Sequence, residues 1–255
     1  MSEIKHKITN LLKGIEKGEI QYKKLKFIQD YILKNNVNKE DAFSFFDLLH
    51  FSITSKIINK HNSNEWAFNI SKLIEKYNFH IGQLLYQRSI RYKNKVAINI
   101  IDGDKKIEIT YNKLWTDIIE IANALQNIEI DKKVIVGILS PNQYKIAALD
   151  LACLSFGFRI IPIPLNSTKD HFSYILEEAS ITHLFLGGEK AAQLWNLIED
   201  DHKLNVIDVN KTSTLKSDSM SWENFIDNSN DSLSIQDINS LNDQEMNKTL
   251  TIMYT

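Results

Sequence analysis

The stretch VIVGILSPNQYKIAALDLACLSFGFRIIPIPL, residues 134–165, decides the fold. Its opening run, Val134 to Leu139, is apolar throughout, which is typical of a strand that is buried on both faces. Ser140-Pro141-Asn142 predicts the start of a helix, because the serine hydroxyl can cap it and the proline suits its first turn. Gly157 is predicted to end that helix, and Arg159 to Ile163 to form a second apolar strand.

Two strands joined by a helix within about thirty residues form a βαβ unit, which requires that the strands run parallel. We therefore predict an α/β fold, in which a layered and mostly parallel sheet is flanked by helices. Because both strands are apolar throughout, Val134–Leu139 and Arg159–Ile163 are expected to be adjacent, central strands. Cys153, on the apolar helix between them, is expected to be an inert core residue rather than a nucleophile.

The amino-acid composition and net charge exclude several classes of protein. The chain has 255 residues and a formal net charge of −2, so its overall charge indicates neither a nucleic-acid partner nor an acidic-membrane partner. The single cysteine excludes an internal disulfide and is typical of a reducing compartment. The first apolar residues are interleaved with lysines, unlike a signal peptide, and no apolar run approaches the roughly 20 residues that span a bilayer. We therefore predict a soluble protein of the cytoplasm with no transmembrane segment.

Residues 1–77 are predicted to form an all-helical extension that precedes the α/β part. They contain no proline, and their apolar residues recur at a helical period. Four helices are expected, of which the third combines Phe43, Phe46, Leu49, Ile53 and Ile57. A small bundle with a lysine-rich, solvated face is favoured over a dedicated partner-docking module or an attraction to anionic surfaces. The sequence identifies no partner for this extension.

Residues 78–255 alternate predicted helices with short apolar strands, as α/β proteins do. A hairpin is predicted around the turn Asp102-Gly103-Asp104, and the spacing of Ser167 and Asp170 predicts a capped helix start. Further strands are predicted at His183–Leu186, Asn205–Val209 and Leu250–Tyr254, and a docking point at Trp222, Phe225 and Ile226.

The residues alone reveal no catalytic set. The seven histidines show no metal-ligand spacing with one another or with Cys153. The sequence has no Gly-x-Gly-x-x-Gly, no phosphate-binding Gly-Lys-Ser/Thr loop and no Gly-x-Ser-x-Gly motif. Gly187-Gly188 could let the backbone approach a phosphate, but punctuation before a helix is the favoured interpretation. No catalytic residue and no metal ligand is therefore predicted.

Five short segments carry a family resemblance: Ile109–Leu114 (ITYNKL), the Ser-x-Asn turn in Leu139–Asn142, Ala152–Leu165 with its Gly157 and Pro162, Tyr174–Ala179 (YILEEA) and Thr251–Thr255 (TIMYT). In this order and spacing they resemble the adenylate-forming enzymes, the acyl-CoA synthetases, adenylation domains and luciferases that share an AMP-binding fold. The resemblance covers roughly residues 78–255 and leaves residues 1–77 outside it. Lys113 stands where the family has Glu, which weakens one capping box and touches no catalytic role.

Within that family the sequence looks similar to the long-chain fatty acid–CoA ligases, through Ile163–Thr168, His183–Gly188 and the Ser/Asp-rich residues that follow. The resemblance implies that a carboxylate and ATP give acyl-AMP and pyrophosphate, after which the thiol of CoA displaces AMP. ATP, Mg²⁺ and CoA are thus the cofactors expected for the intact enzyme, beside a small-molecule carboxylate substrate. The residues do not distinguish the length of the acyl chain, or CoA from a carrier-protein thiol.

The resemblance also implies that the reacting groups lie outside this sequence. The family's phosphate loop, adenine-binding strand, ribose-binding Asp, hinge and catalytic lysine all follow the position that matches Thr255. Only Thr255 matches an ATP-binding position, as the first residue of the phosphate loop. The 255-residue chain alone is therefore expected to bind no cofactor tightly and to form no acyl-adenylate.

Two functional classes remain open. The first is the N-terminal part of an acyl-CoA synthetase, truncated before its phosphate loop. The second is a non-catalytic binding or interaction protein that has kept the first subdomain of the fold and gained a helical bundle. The apolar strand predicted at the end of the sequence favours the first class.

Overall fold

The computed structural model describes residues 3–17, 21–50, 52–61, 63–128, 134–216, 218–227 and 248–254. The chain divides into two compact units, Met1–His80 and Ile81–Thr255. Within the described ranges, no helix has both the length and the apolar character that are needed to cross a membrane.

The described part of the first unit is helical. Its helices are α1 (Glu3–Glu16), α2 (Tyr22–Lys34), α3 (Lys39–Phe46), α4 (Ser52–Asn59) and α5 (Ser63–Tyr77). A 3₁₀ turn at Asp47–His50 lies between α3 and α4, so the prediction of one continuous third helix is wrong. The core of the unit is built from fully or nearly buried side chains of α2, α3 and α5: Leu25, Ile28, Ile32, Phe45, Phe46, Trp66 and Leu73.

The second unit alternates helices and strands. Its helices are α6 (Ile81–Arg91), α7 (Tyr111–Ile128), α8 (Tyr144–Phe156), α9 (Lys169–Glu178), α10 (Glu189–Trp195) and α11 (Trp222–Asp227). Its strands are β1 (Val96–Asp102), β2 (Lys105–Thr110), β3 (Ile135–Leu139), β4 (Arg159–Pro162), β5 (His183–Leu186), β6 (Asn205–Asp208) and β7 (Met220–Ser221). β1 and β2 form the predicted antiparallel hairpin.

The other five strands form one parallel sheet in the order β4-β3-β5-β6-β7. The predicted α/β fold is therefore confirmed, and β3 and β4 are adjacent as expected. The expectation that both strands are central is wrong for β4, which is the edge strand of this sheet. Its outer side is nevertheless hydrogen-bonded, because the Ile160 N–H donates to the Leu250 carbonyl (2.7 Å) and the Ile252 N–H donates to the Ile160 carbonyl (3.2 Å).

The uninterrupted apolar sequence of β3 follows from burial on both of its faces. Val136 and Ile138 lie in a core that α7 and α8 cover, whereas Ile135 and Leu139 lie in a second core that α9 and α10 cover. Because successive side chains of a strand point to opposite faces, a strand between two cores has to be apolar at every position. The second unit is thus a helix–sheet–helix arrangement of three layers.

Helix boundaries agree with the sequence at one end of α8 and differ at the other. Gly157 ends α8 with a φ of 76°, in the left-handed region that favours glycine. The predicted cap at Ser140 is wrong, because α8 begins after Gln143, which makes no side-chain cap. α9 begins one residue later than predicted: Thr168, not Ser167, accepts the capping hydrogen bond from the backbone N–H three residues on (3.3 Å).

The aromatic docking point after β7 is confirmed. Trp222 and Phe225 are buried against Phe185 of β5, with ring centroids 6.2 and 5.1 Å apart, respectively. Ile226 is partly buried against the same core. These side chains fix α11 on the face of the sheet that α7 and α8 also cover.

Burial of Cys153 on α8 predicts that its thiol is inert. The side chain has no exposed area, and burial raises the pKa of the thiol well above its usual range, with the Asp150 charge adding to the effect. We expect an aromatic disulfide reagent to label the native protein at least about a thousandfold more slowly than the protein in urea, because reaction requires opening of the core. Equal rates in the two states, followed by absorbance, would contradict the buried position.

Asp150, one turn before Cys153, gives a pH-dependent prediction. Partial burial raises the pKa of its carboxyl, so the folded state favours the protonated form and loses stability as the carboxyl ionises. Asp150→Asn should therefore raise the free energy of unfolding at pH 7, by less than about 1 kcal/mol for this half-exposed group. The gain should shrink as the pH falls through the raised pKa. Urea unfolding at pH 7 and pH 4 measures it, and a destabilised variant at pH 7 would refute the assignment.

Candidate functional site

The strand order places a candidate site at the carboxyl ends of β3 and β5. The chain leaves β3 toward β4 on one side, and it leaves β5 toward β6 on the other. In open α/β sheets, ligands bind in the crevice where the connections diverge in this way. The residues at this point are Ser140, Gln143, Gly187, Gly188 and Asn210, which we call the switch-point cluster.

Side-chain hydrogen bonds join the polar members of this cluster. The amide nitrogen of Gln143 donates to the Ser140 hydroxyl oxygen (2.8 Å) and to the amide oxygen of Asn210 (3.0 Å). The amide nitrogen of Asn210 donates back to the amide oxygen of Gln143 (3.0 Å). The Ser140 hydroxyl in turn donates to the Pro141 carbonyl (2.9 Å). The cluster thus ties the end of β3 to the end of β6 through its own side chains.

Gly187 is a glycine because the chain itself fills the space in front of it. A β-carbon at this position would lie 2.0 Å from the Ser140 hydroxyl oxygen and 2.7 Å from the Ser140 β-carbon. Gly188 has a φ of 81° and precedes the first residue of α10. The close approach that Gly187 allows is therefore made by a serine, and the pair agrees with the helix-punctuation interpretation of Gly187-Gly188.

Asp208, at the end of β6, is buried, and its carboxylate stabilises the turn that follows this strand. One carboxylate oxygen accepts from the Asn210 N–H (3.0 Å) and from the Thr212 hydroxyl (3.1 Å), and the other accepts from the Thr212 N–H (2.6 Å). Nearby, the Lys145 ammonium donates to the Val209 carbonyl (2.9 Å). Asp208 and Lys145 thus stabilise the chain that follows β6.

Tyr144, the first residue of α8, makes a further structural contact. Its hydroxyl donates to Asp117 of α7, and that carboxylate also pairs with Lys113. Burial and the neighbouring carboxylate raise the pKa of Tyr144 far above neutrality, so the phenol stays protonated. It therefore serves to join α7 to α8 and not as an acid–base group.

The described residues contain no cluster of metal-ligating side chains, and polar groups at the carboxyl edge bond within the chain. Among them, no group of three or more His, Cys, Asp or Glu side chains is placed to hold a metal ion. The polar atoms of the switch-point cluster bond to one another, and Ser140 occupies the space in front of Gly187. Among the described residues, side chains of the protein itself thus occupy the space at the switch point.

Thr255, the ATP-binding position predicted from the sequence, lies outside the described residues. The segment before it is described, and the strand predicted at Leu250–Tyr254 is wrong, since a single parallel bridge joins Thr251 to Ile160. Tyr254 packs onto the core beneath α9, its ring edge-on to Tyr174 at 6.3 Å, and its hydroxyl donates to Glu178.

Sequence reasoning missed the switch-point cluster. Gln143 and Asn210 are 67 positions apart, and neither belongs to a known motif. In the sequence, only Ser140 and Gly187 indicated such a contact. Small residues directly after two parallel strands allow the loops that follow those strands to approach each other closely. The strand order is what brings the members of the cluster together.

One protein family matches most of the second unit. A family model described as AMP-binding enzyme matches residues 85–255. Among curated proteins, no sequence matches the chain significantly.

Solved structures share the fold. Coronafacic acid ligase from Pectobacterium brasiliense aligns with a TM-score of 0.56 and 18% identity, over 69% of this chain and 33% of that one. The N-terminal domain of FACL13 from Mycobacterium tuberculosis aligns with a TM-score of 0.50 and 17% identity, over 69% and 41%. A protein from Rhodopseudomonas palustris CGA009 that is assigned as a long-chain-fatty-acid CoA ligase aligns with a TM-score of 0.50 and 14% identity, over 60% and 37%. This chain therefore spans well under half of each of these structures.

The contact between Ser140 and Gly187 gives a test by mutation. Gly187→Ala should lower the free energy of unfolding by about 1–3 kcal/mol, because the new methyl group overlaps the serine side chain. Ser140→Gly removes that side chain, so the double variant should recover part of the loss; the amide nitrogen of Gln143, 2.5 Å from the new β-carbon, still has to shift. Urea denaturation of the single and double variants measures the coupling. Additive losses in the double variant would show that the two residues do not touch.

Proposed function

Because the chain belongs to the AMP-binding enzyme family over residues 85–255, we propose that it is the N-terminal part of an ATP-dependent acid–thiol ligase. In the proposed reaction, a carboxylate oxygen attacks the α-phosphorus of ATP, which gives acyl-AMP and releases pyrophosphate. The thiolate of CoA then attacks the acyl carbon, and AMP leaves. A carboxylate is a poor acyl donor, and adenylation supplies the leaving group that it lacks.

The observation that carries this proposal is the family match, which runs through the parallel sheet to the end of the sequence. Leu250–Ile252 runs beside β4 in the same direction, toward the edge where the strands have their carboxyl ends. At that edge of an α/β sheet, free backbone N–H groups meet phosphate oxygens. We propose that Thr255 begins the phosphate loop there. The proposed cofactors are ATP and Mg²⁺, with CoA as the acceptor.

The proposed substrate is a long-chain fatty acid. This rests on the sequence resemblance at Ile163–Thr168 and His183–Gly188, and the shared fold with the Rhodopseudomonas palustris protein is consistent with it. The proposed division of the chain has residues 1–77 as a helical extension and residues 78–255 as the ligase portion. The proposed compartment is the cytoplasm.

Exchange of labelled pyrophosphate into ATP tests the activity. The longest natural product of this reading frame should catalyse exchange that depends on hexadecanoate, and acetate should be at least about tenfold less effective, because each buried methylene contributes about 0.8 kcal/mol. The 255-residue chain should catalyse none. Hydroxylamine trapping of the acyl-adenylate provides an independent readout.

The outcomes separate the two functional classes. If the longest product shows no exchange with any carboxylate, the ligase proposal fails and the non-catalytic interaction protein is favoured. If the 255-residue chain itself catalyses exchange, the proposed position of the reacting groups is wrong. If exchange occurs with short acids alone, the family assignment stands and the long-chain substrate is wrong.

A further inference from the structure

The first unit contains a groove between α1 and α2 that the ligase proposal does not use. Its volume is about 420 Å³, which lies within the range of about 300–1,000 Å³ that is usual for small-molecule sites. Its floor is apolar, because Leu11 of α1 and Ile28 of α2 are buried beneath it. Phe27 forms one wall, and 53% of this side chain is exposed. An exposed aromatic wall over an apolar floor is suited to an aliphatic chain.

The rim of the groove is basic. Lys7 of α1 and Lys23 and Lys24 of α2 line it, and no described lining residue is acidic. The Lys7 ammonium lies 5.1 Å from the centre of the Phe27 ring, so this cation is held beside the aromatic wall. Lys23 and Lys24 are exposed at the start of α2. The two exposed cations of Lys23 and Lys24 beside one apolar groove favour a ligand with an acidic group.

Lys26, a neighbouring lysine of α2 that does not line the groove, is paired with carboxylates. Lys26, outside the groove on α2, pairs with Asp30 (2.9 Å) and with Glu65 of α5 (2.7 Å). Its charge is thus balanced within the unit, and both carboxylates raise the pKa of its ammonium. Lys26 of α2 therefore forms ion pairs, whereas Lys23 and Lys24 of the same helix line the rim of the groove.

We propose that the groove between α1 and α2 binds a single-chain amphiphile that carries an acidic head group, of which a fatty acid is the simplest example. The aliphatic chain lies on Leu11, Ile28 and Phe27, and the head group lies among the rim lysines. A helix that binds a membrane surface presents a broad apolar face, whereas these apolar side chains come from two helices and line the groove between them. The proposal is independent of the ligase activity, since it concerns only the first unit.

The test is isothermal titration calorimetry of the whole 255-residue chain with dodecanoate. The dodecanoate concentration stays below the value at which it forms micelles. Saturable binding at one site is expected, and the affinity should rise about three- to fourfold for each methylene between octanoate and dodecanoate. Dodecanol, which has the same chain and no charge, should bind more weakly. Because the rim is exposed, added salt should also weaken dodecanoate binding.

Two variants and a matched control locate the site. Lys23→Gln with Lys24→Gln should weaken dodecanoate binding by about 2- to 30-fold. Gly14→Leu, in the wall of the groove, should abolish binding by filling it while favouring helix formation. Lys56→Gln with Lys60→Gln removes the same charge from exposed positions of the first unit outside the groove and should leave binding unchanged. Circular dichroism checks that each variant is folded.

Several results would overturn the proposal. It fails if dodecanoate does not bind saturably, if dodecanol binds equally well, or if the lysine pairs at the groove and elsewhere have equal effects. It also fails if the chain binds phosphatidylglycerol vesicles but not monomeric dodecanoate, which would indicate a membrane surface instead. None of these measurements involves ATP, so failure here is distinct from failure of the proposed ligase activity.

Discussion

The second unit depends on one constraint, which is that β3 is buried on both faces. Val136 and Ile138 require cover on one side of the sheet, and Ile135 and Leu139 require it on the other. Burial of one such side chain is worth about 1.5–3 kcal/mol, so an uncovered face would forfeit much of the stability of a small domain. Gly137 keeps the middle of the strand narrow, since a β-carbon there would lie 3.0 Å from Ile181. The helices on both faces follow from this requirement.

The same strand also explains how the carboxyl edge is built. Because β4 and β5 lie on opposite sides of β3, the connections after β3 and β5 diverge and leave a crevice. In many α/β proteins a ligand occupies that place, but here Ser140 and Gln143 fill it and bond onward to Asn210. In the described part of the domain, these polar edge residues thus stabilise the loops that follow the strands. For the proposed ligase, this separates the structural role of the N-terminal part from the reacting groups.

The local features of this fold could be predicted from the sequence, and the long-range ones could not. The β3–α8–β4 unit was predictable because an apolar run and the left-handed Gly157 act over a few residues. The edge position of β4 was not, because apolar residues on both faces indicate cover above and below the sheet and not the number of strands beside it; Ile160 lies in one core and Ile161 in the other. Ser140 looked like a helix cap because its partner Gly187 is remote in the sequence. Thr255, the predicted ATP-binding position, lies outside the described residues, so the fold neither supports nor opposes it.

Closure of the outer side of β4 has a consequence for how the protein is made. Lys248, which donates to the Gly157 carbonyl, is 91 positions from its partner, and the neighbouring Leu250–Ile252 segment closes the edge. At about 5–20 residues per second, a ribosome needs about 5–20 seconds to synthesise the intervening chain. During that interval the outer side of β4 has no partner, and an unpaired strand of this kind tends to pair with other chains. Early binding of a chaperone to β4 would protect the strand until Leu250–Ile252 emerges.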